Sequence, residues 1–422
     1  MTAVRAFQIP VESGNKIVYI PQLRTVRLVP QSIQVPDLFD ATVETHSTER
    51  APDGRFPRCD LVLNNFCNLR CIYCHANSGT QQRREMPFPI ACQAIDQVAK
   101  DAKELGLSHF DVTLTGGGEP LLSLRLVRKI VAYCRQKESE TGLRCKLAIV
   151  SNGCFSSKLR RFIVDNFTNI SISIDGPPMI QNKQRPLADG RPSFNIVAAN
   201  IDALSGVGTI GIGFRMTVSA ESVNDLEDNV LFLHRRWPNV VIGIEPLEYT
   251  GRCIDTNAQP PDLRVFAQQY VGLLAIAKAN NLQLRSSLAT FKSHVCRLSF
   301  CGVNGRIFGI DPEGNVTACT RVSDSRDPLA ACFHYGKITP HGTGPEISGK
   351  SYQQLAGYTA DSVPQCHDCY AMSNCKGDCC HVRASAYGAG FARRVSHRCE
   401  GIRFFTRAIL RMELGLPPEP IK

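Results

Sequence analysis

Cys67-Asn68-Leu69-Arg70-Cys71-Ile72-Tyr73-Cys74, directly after the apolar run Leu61-Val62-Leu63, is the stretch whose reading decides the fold. A strand-like run that breaks into a tight loop with C-x3-C-x2-C spacing can wrap three thiolates around one face of a cube-shaped iron–sulfur cluster. A four-iron cluster is commonly held by four thiolates. No fourth cysteine lies nearby, since Cys59 falls on the strand run and Cys92 in a helical pattern. The spacing leaves one iron open to a non-protein ligand, and an open coordination position marks a catalytic metal centre. The alternative is a structural zinc knot, which needs four ligands in tetrahedral array. His75, adjacent to Cys74, is poorly placed to be the fourth.

Outward from this loop, residues 58–285 alternate strand-like and helix-like patterns. Strands are expected at Cys59–Leu63, Phe110–Thr115, Lys146–Ser151, Ile170–Ile174, Ile210–Val218 and Val240–Glu245. Helical patterns lie between them, at Ile90–Leu105, Leu124–Lys137, Phe194–Leu204 and Leu226–Arg236. Such alternation predicts an α/β fold with a parallel sheet and six βα units. Open or closed, that sheet carries its chemistry at the carboxyl ends of its strands. The second strand ends in Gly116-Gly117-Gly118-Glu119-Pro120, where glycines permit close backbone approach and Glu119 can accept from an ammonium group. By itself this turn reads as readily as a plain βα loop. The fourth strand ends in Ser171-Ile172-Ser173-Ile174-Asp175-Gly176, with Ser173 and Asp175 on one face and able to bond ribose hydroxyls. Ser151 and Asn152 end the third strand in the same way, or serve as ordinary turn residues.

The cysteine loop resembles that of the radical SAM superfamily, with Tyr73 in the aromatic position of C-x3-C-x-aromatic-C. The resemblance implies a partial (β/α)6 barrel whose 4Fe–4S cluster, on Cys67, Cys71 and Cys74, binds S-adenosylmethionine (SAM) and cleaves it to a 5′-deoxyadenosyl radical. It makes Gly116, Gly117, Gly118 and Glu119 the turn that receives the SAM amino group. It sets Arg185 against the SAM carboxylate, a role for which Lys183 and Arg215 are alternatives.

Beyond a helical run that follows Pro260-Pro261 and reaches Leu282, cysteine density rises. Cys301 is followed after twelve residues by Gly314, and Gly314 after four more by Cys319. Then comes C-x2-C-x5-C-x3-C from Cys366 to Cys379, with Cys399 beyond it. This pattern resembles the SPASM extension of peptide and protein maturases, which binds two auxiliary iron–sulfur clusters. Carried over, Cys296, Cys301, Cys319 and Cys379 hold the first, and Cys366, Cys369, Cys375 and Cys399 the second. Two zinc ribbons are the alternative from spacing alone. Cys380 is surplus to the pattern, and Cys92, Cys134, Cys145, Cys154, Cys253 and Cys332 read as core or surface thiols.

The chain has 422 residues, 43% of them hydrophobic, enough for two or three domains. Domains are expected at 1–57, an extension with a short hairpin over Lys16–Pro21 and Thr25–Pro30, at 58–285 and at 286–422. The extension is expected to pack on the domain that follows it. Nineteen cysteines and no membrane-spanning or export-signal pattern point to a reducing, cytoplasmic setting with no membrane partner. The net charge of +10 is spread along the chain, and no basic–aromatic array signals nucleic acid.

The resemblance implies an enzyme that takes a hydrogen atom from a ribosomally made peptide and completes a two-electron oxidation. It implies a precursor peptide or protein as substrate, and flavodoxin or ferredoxin as electron donor. An intramolecular crosslink is the expected product; thioether or formylglycine formation is the alternative enzyme chemistry. Relatives that make formylglycine carry an aspartate directly after the cysteine matching Cys319, where this chain has Thr320 and then Arg321. A non-catalytic iron–sulfur carrier is the reading from another class; it has no need of the Gly-Gly-Gly-Glu-Pro turn or of an open iron.

Overall fold

The computed structural model describes residues 6–12, 14–21, 25–34, 53–290 and 299–421. Cys296 lies outside them. The N-terminal segment forms an antiparallel sheet in the order β1 (Phe7–Pro10), β2 (Asn15–Ile20), β3 (Thr25–Pro30). The hairpin is thus joined by a strand the sequence pattern did not reveal. Four residues ending in proline carry too little alternation to register. Ile9, Ile17 and Tyr19 pack against Leu410 of the C-terminal helix Cys399–Glu413, and the Tyr19 hydroxyl lies 2.7 Å from Ser373 Oγ. Among the described residues the hairpin of the extension thus packs on the far end of the chain, while Phe56 joins the core of the domain that follows. The apolar stripe of that helix is the surface that its buried strand face meets.

The expected parallel strands are present: β4 (Arg58–Val62), β5 (His109–Thr115), β6 (Arg144–Ser151), β7 (Asn169–Ser173), β8 (Gly211–Val218) and β9 (Val241–Pro246). Strand alternation sets their two faces. In β5, Phe110, Val112 and Leu114 are buried in the core, while His109, Asp111, Thr113 and Thr115 point the other way. The first crossover helix, Phe88–Glu104, buries Ile90, Ala94, Ile95, Val98 and Ala102 at helical spacing in the same core. Its buried Asp101 accepts from the Phe56 backbone at 2.8 Å, which anchors the chain just before β4.

Beyond β9 the sheet gains a short parallel strand, β10 (Leu284–Arg285). At the opposite edge, β11 (Gly309–Ile310) pairs in parallel with β4, through Gly309 with Asp60 and Ile310 with Leu61. An antiparallel meander follows, of β12 (Asn315–Thr317), β13 (His334–Lys337) and β14 (Glu346–Ile347). Among the described residues one sheet of eleven strands, ordered β10-β9-β8-β7-β6-β5-β4-β11-β12-β13-β14, thus runs through both cysteine-bearing regions. No helix among the described residues is long and apolar enough to cross a membrane.

Candidate active site

The cysteine loop leaves β4 and meets the glycine turn that leaves β5, because the two strands are neighbours in the sheet. Gly118 N donates to Asn64 O at 2.9 Å and Glu119 N to Phe66 O at 2.9 Å. The buried Asn64 amide donates to Glu119 O at 3.0 Å and Ser123 Oγ at 2.7 Å. Two of the glycines are required by contact. A Cβ on Gly116 would sit 1.8 Å from Gly118 O, and one on Gly118 would sit 2.1 Å from Phe66 O. The turn and the loop are therefore one unit, stitched through residues 64–66.

Glu119 is 2% exposed and lies beneath this unit. Its Oε1 accepts from Ser151 Oγ at 2.9 Å and Leu121 N at 3.2 Å, and its Oε2 from Asn152 N at 2.7 Å. Burial pushes its pKa up to about 7, against the pull of these donors. The Asn152 side chain in turn donates to Asn68 Oδ1 at 2.8 Å and lies 3.5 Å from Cys67 Sγ. Ser151 and Asn152 thus serve the carboxylate and the cysteine loop.

Asp175 departs from the ribose-binding expectation. Its side chain is fully buried and forms a two-pronged ion pair with Arg185, Nε to Oδ2 at 2.9 Å and Nη2 to Oδ1 at 3.1 Å. It also accepts from Tyr73 OH, from Gln184 Nε2 at 3.0 Å and from Thr217 N at 2.9 Å. The carboxylate's acceptor positions are taken by its own chain. The Arg185 guanidinium lies 5.1 Å from the centre of the Tyr73 ring, so Tyr73, Asp175 and Arg185 form one buried cluster behind the cysteine loop. Burial opposes the charge on Arg185, but Asp175 and Tyr73 hold it protonated. Ser173 is half-buried at the end of β7, in register with Arg215 of β8. Lys183 lies on the surface, paired with Glu221 at 2.6 Å, which removes it from the carboxylate-binding alternatives.

All eighteen described cysteines are free thiols. Burial raises Cys67 to about 11 and Cys71 to about 12, and each also feels the Cys74 thiol. The C-terminal thiols fall into two neighbourhoods. After burial and Glu248, and against Arg321, the groups that raise Cys379 are Cys301 and Cys319. After burial and Asp378, those that raise Cys375 are Cys399, Cys366 and Cys369. Cys296, expected with Cys301, Cys319 and Cys379, lies outside the described residues. Cys380, surplus by spacing, acts on Cys301 and lies 3.6 Å from Arg383 Nη2. Among the described residues no three Cys, His, Asp or Glu converge closely enough to hold one metal ion. The soft thiol sets fit iron–sulfur clusters.

Three groupings escaped the sequence reading. Glu248, two residues past β9, accepts from Arg321 and, at 3.4 Å, from Arg398. Arg398 also pairs with Asp378, beside Cys379. This chain of charges ties the sheet's end to the first C-terminal thiol set. Second, His75 is open to solvent yet surrounded by protein, on the wall of a cavity of about 120 Å³ shared with Gly117, Arg84, Arg321, Asp324 and Asp327. Burial, Arg321 and His381 push its pKa down to about 3, which keeps the ring neutral. Third, Arg252 grips the cysteine loop from the far side. Glycine and arginine at 251–252 carry no periodic signal, and only the fold brings them to the loop.

The Radical SAM superfamily model matches residues 61–233. The uncharacterized protein MJ0907 of Methanocaldococcus jannaschii is 31% identical over 179 residues, 41% of this chain and 57% of that protein. The chain thus spans little more than half of that relative's length. Mycofactocin maturase MftC of Mycobacterium tuberculosis is 24% identical over 330 residues, 75% of this chain and 76% of MftC. Among solved structures, anSMEcpe with bound AdoMet and Cp18Cys peptide superposes with a TM-score of 0.65 at 17% identity, covering 85% of this chain and 98% of that one. Streptococcus suis SuiB bound to precursor peptide SuiA has a TM-score of 0.58 at 12% identity, covering 82% and 76%. Residues 61–233, which carry the cysteine loop and the glycine turn, thus match the radical SAM superfamily.

Proposed function

We propose that the chain is a radical SAM peptide maturase with two auxiliary clusters. On this reading residues 58–285 hold SAM and its cluster on Cys67, Cys71 and Cys74. Residues 286–422 hold the first auxiliary cluster on Cys296, Cys301, Cys319 and Cys379, and the second on Cys366, Cys369, Cys375 and Cys399. The observation that carries it is the stitched unit of cysteine loop and glycine turn, joined by one sheet to the second thiol region. When bound there, SAM and its cluster would supply radical hydrogen-atom abstraction, and an auxiliary cluster would supply an acceptor for the electron that follows. The chain itself supplies position and enclosure. An external one-electron donor such as flavodoxin or ferredoxin completes the scheme.

The product we favour is an intramolecular crosslink. One hydrogen leaves as an atom taken by the radical, and the second leaves as a proton with its electron. The crosslinked peptide is expected to lose about 2 Da and to resist fragmentation across the linked residues. Tandem mass spectrometry of a candidate precursor, incubated with enzyme, SAM and reductant, checks this. An aldehyde at a single Ser or Cys, with uninterrupted fragmentation, refutes crosslinking in favour of formylglycine. The placement of Glu248 bears on that alternative. It brings a carboxylate close to the position that Thr320 leaves without one, but Arg321 and Arg398 occupy its two oxygens.

Glu119 supports a second test. Its raised pKa means that the charged form costs stability as pH rises from about 4.5 through about 7. A SAM ammonium beside it offsets that cost. SAM affinity is therefore expected to rise between pH 5 and 8 in the native protein, and to lose this dependence in Glu119→Gln. At pH 8 the variant loses a charge-assisted bond, roughly 1.5–3 kcal/mol or about 10- to 150-fold in Kd. Iron content is expected to stay unchanged, since Glu119 itself bonds no cysteine. Calorimetric titration and iron assay read both, and unchanged SAM affinity reduces the turn to an ordinary loop.

A further inference from the structure

Among the described residues Arg252 is a buried guanidinium with no carboxylate partner. It is 7% exposed, and its three guanidinium contacts are all to neutral acceptors. Nη1 donates to Cys71 O at 3.0 Å, Nη2 to Ser78 O at 2.6 Å and Nε to Asn77 Oδ1 at 3.1 Å. Its backbone N–H donates to Cys74 O at 3.0 Å. Among the described residues no carboxylate forms an ion pair with it. The preceding residue is built for this approach. Gly251 has φ +59°, and a Cβ there would sit 2.4 Å from Cys74 O and 2.5 Å from His75 O. The segment that follows β9 is thus pressed against the cysteine loop, and Thr256 Oγ1 adds a bond to Ile72 O at 2.7 Å.

A buried cation without a counter-anion is expensive, and folded chains rarely retain one. The contrast with Arg185 and Arg398 is direct, since both have a buried aspartate as partner. The guanidinium bonds the backbone of the cysteine loop itself, at Cys71 O and Ser78 O, in the segment whose cysteines become thiolates when they ligate a cluster. We infer that Arg252 is the counter-charge of the SAM-binding cluster, a positioning residue that holds the cysteine loop and favours the more negative, reduced state of the cluster on Cys67, Cys71 and Cys74. This rests on the proposed cofactor content, and concerns a residue that the superfamily match, which ends at 233, does not cover.

The test uses the full-length chain, anaerobically reconstituted, as native protein, Arg252→Gln and Arg252→Lys. Iron content is measured together with the midpoint potential of the one cluster whose paramagnetic resonance changes when SAM is added. Arg252→Gln is expected to disfavour reduction about tenfold, a fall of about 59 mV for one electron. Arg252→Lys, which keeps the charge and loses the fork, is expected to stay near the native potential. Failure of Arg252→Gln to load iron where Arg252→Lys loads supports the same role. Reduction of Arg252→Gln at the native potential overturns it. Equal failure of both variants to load also overturns it, since hydrogen-bond geometry alone then explains the contacts. A native protein without a SAM-responsive cluster refutes the cofactor assignment itself, an outcome separate from either.

Discussion

Replacing Cys67, Cys71 and Cys74 together with Ala is expected to remove about a third of the iron from anaerobically reconstituted protein and to abolish release of 5′-deoxyadenosine from SAM. Three 4Fe–4S clusters correspond to about twelve irons with matching sulfide, so the triple variant retains about eight. Iron held by the proposed C-terminal sets should remain, because none of their cysteines is replaced. The three replaced side chains are half-buried at the core's edge, and the loop keeps its backbone bonds from Arg70 N to Pro186 O and from Ile72 N to Gln184 O. The variant should therefore fold. Cys301→Ala with Cys379→Ala provides the converse, a loss of about four irons with SAM cleavage retained. If zinc fills these sites in protein purified without oxygen, or if the triple variant still cleaves SAM, the assignment fails.

The second large effect is expected from Asp175→Ala. The aspartate is the partner of a buried guanidinium, and its removal leaves Arg185, the Tyr73 hydroxyl, the Gln184 amide and Thr217 N short of an acceptor. Breaking a buried pair from one side costs roughly 3–5 kcal/mol. The expected result is a clear fall in thermal midpoint, accompanied by loss of SAM binding as the floor beneath the cysteine loop relaxes. Arg185→Met on top of Asp175→Ala should recover part of the stability, because the orphaned charge is then gone. Recovery of stability without recovery of SAM binding would separate the structural role of the pair from its role toward the ligand. A single Asp175→Ala variant as stable as the native protein would show that the pair contributes nothing.

The parallel sheet was legible because its strands alternate with helices over long, regular spans. Phe110–Thr115 and Leu226–Arg236, for instance, differ from the observed elements by at most a residue. β10 and β11 have two residues each, too short to carry a period, and they join the sheet only through their neighbours. The site was legible in its residue types and less so in their partners. Asp175 and Arg185 were both visible as polar residues near a strand end, yet their pairing depends on how the intervening helix Pro178–Gln184 turns back. The Arg252 contacts span more than 170 residues of chain, a distance that no local pattern encodes.

The continuous sheet has a consequence for how the chain reaches its fold. β4 lies between β5 and β11, so one flank is completed by a neighbour about fifty residues away and the other by one about 250 residues away. Until the second arrives, β4 is an unprotected edge with free N–H and C=O groups, a template for pairing with other chains. A fragment ending near 285 keeps that edge permanently and should aggregate. In the whole chain, closure of β4 by β11 joins segments about 250 residues apart, a long-range pairing whose loop-closure entropy slows folding.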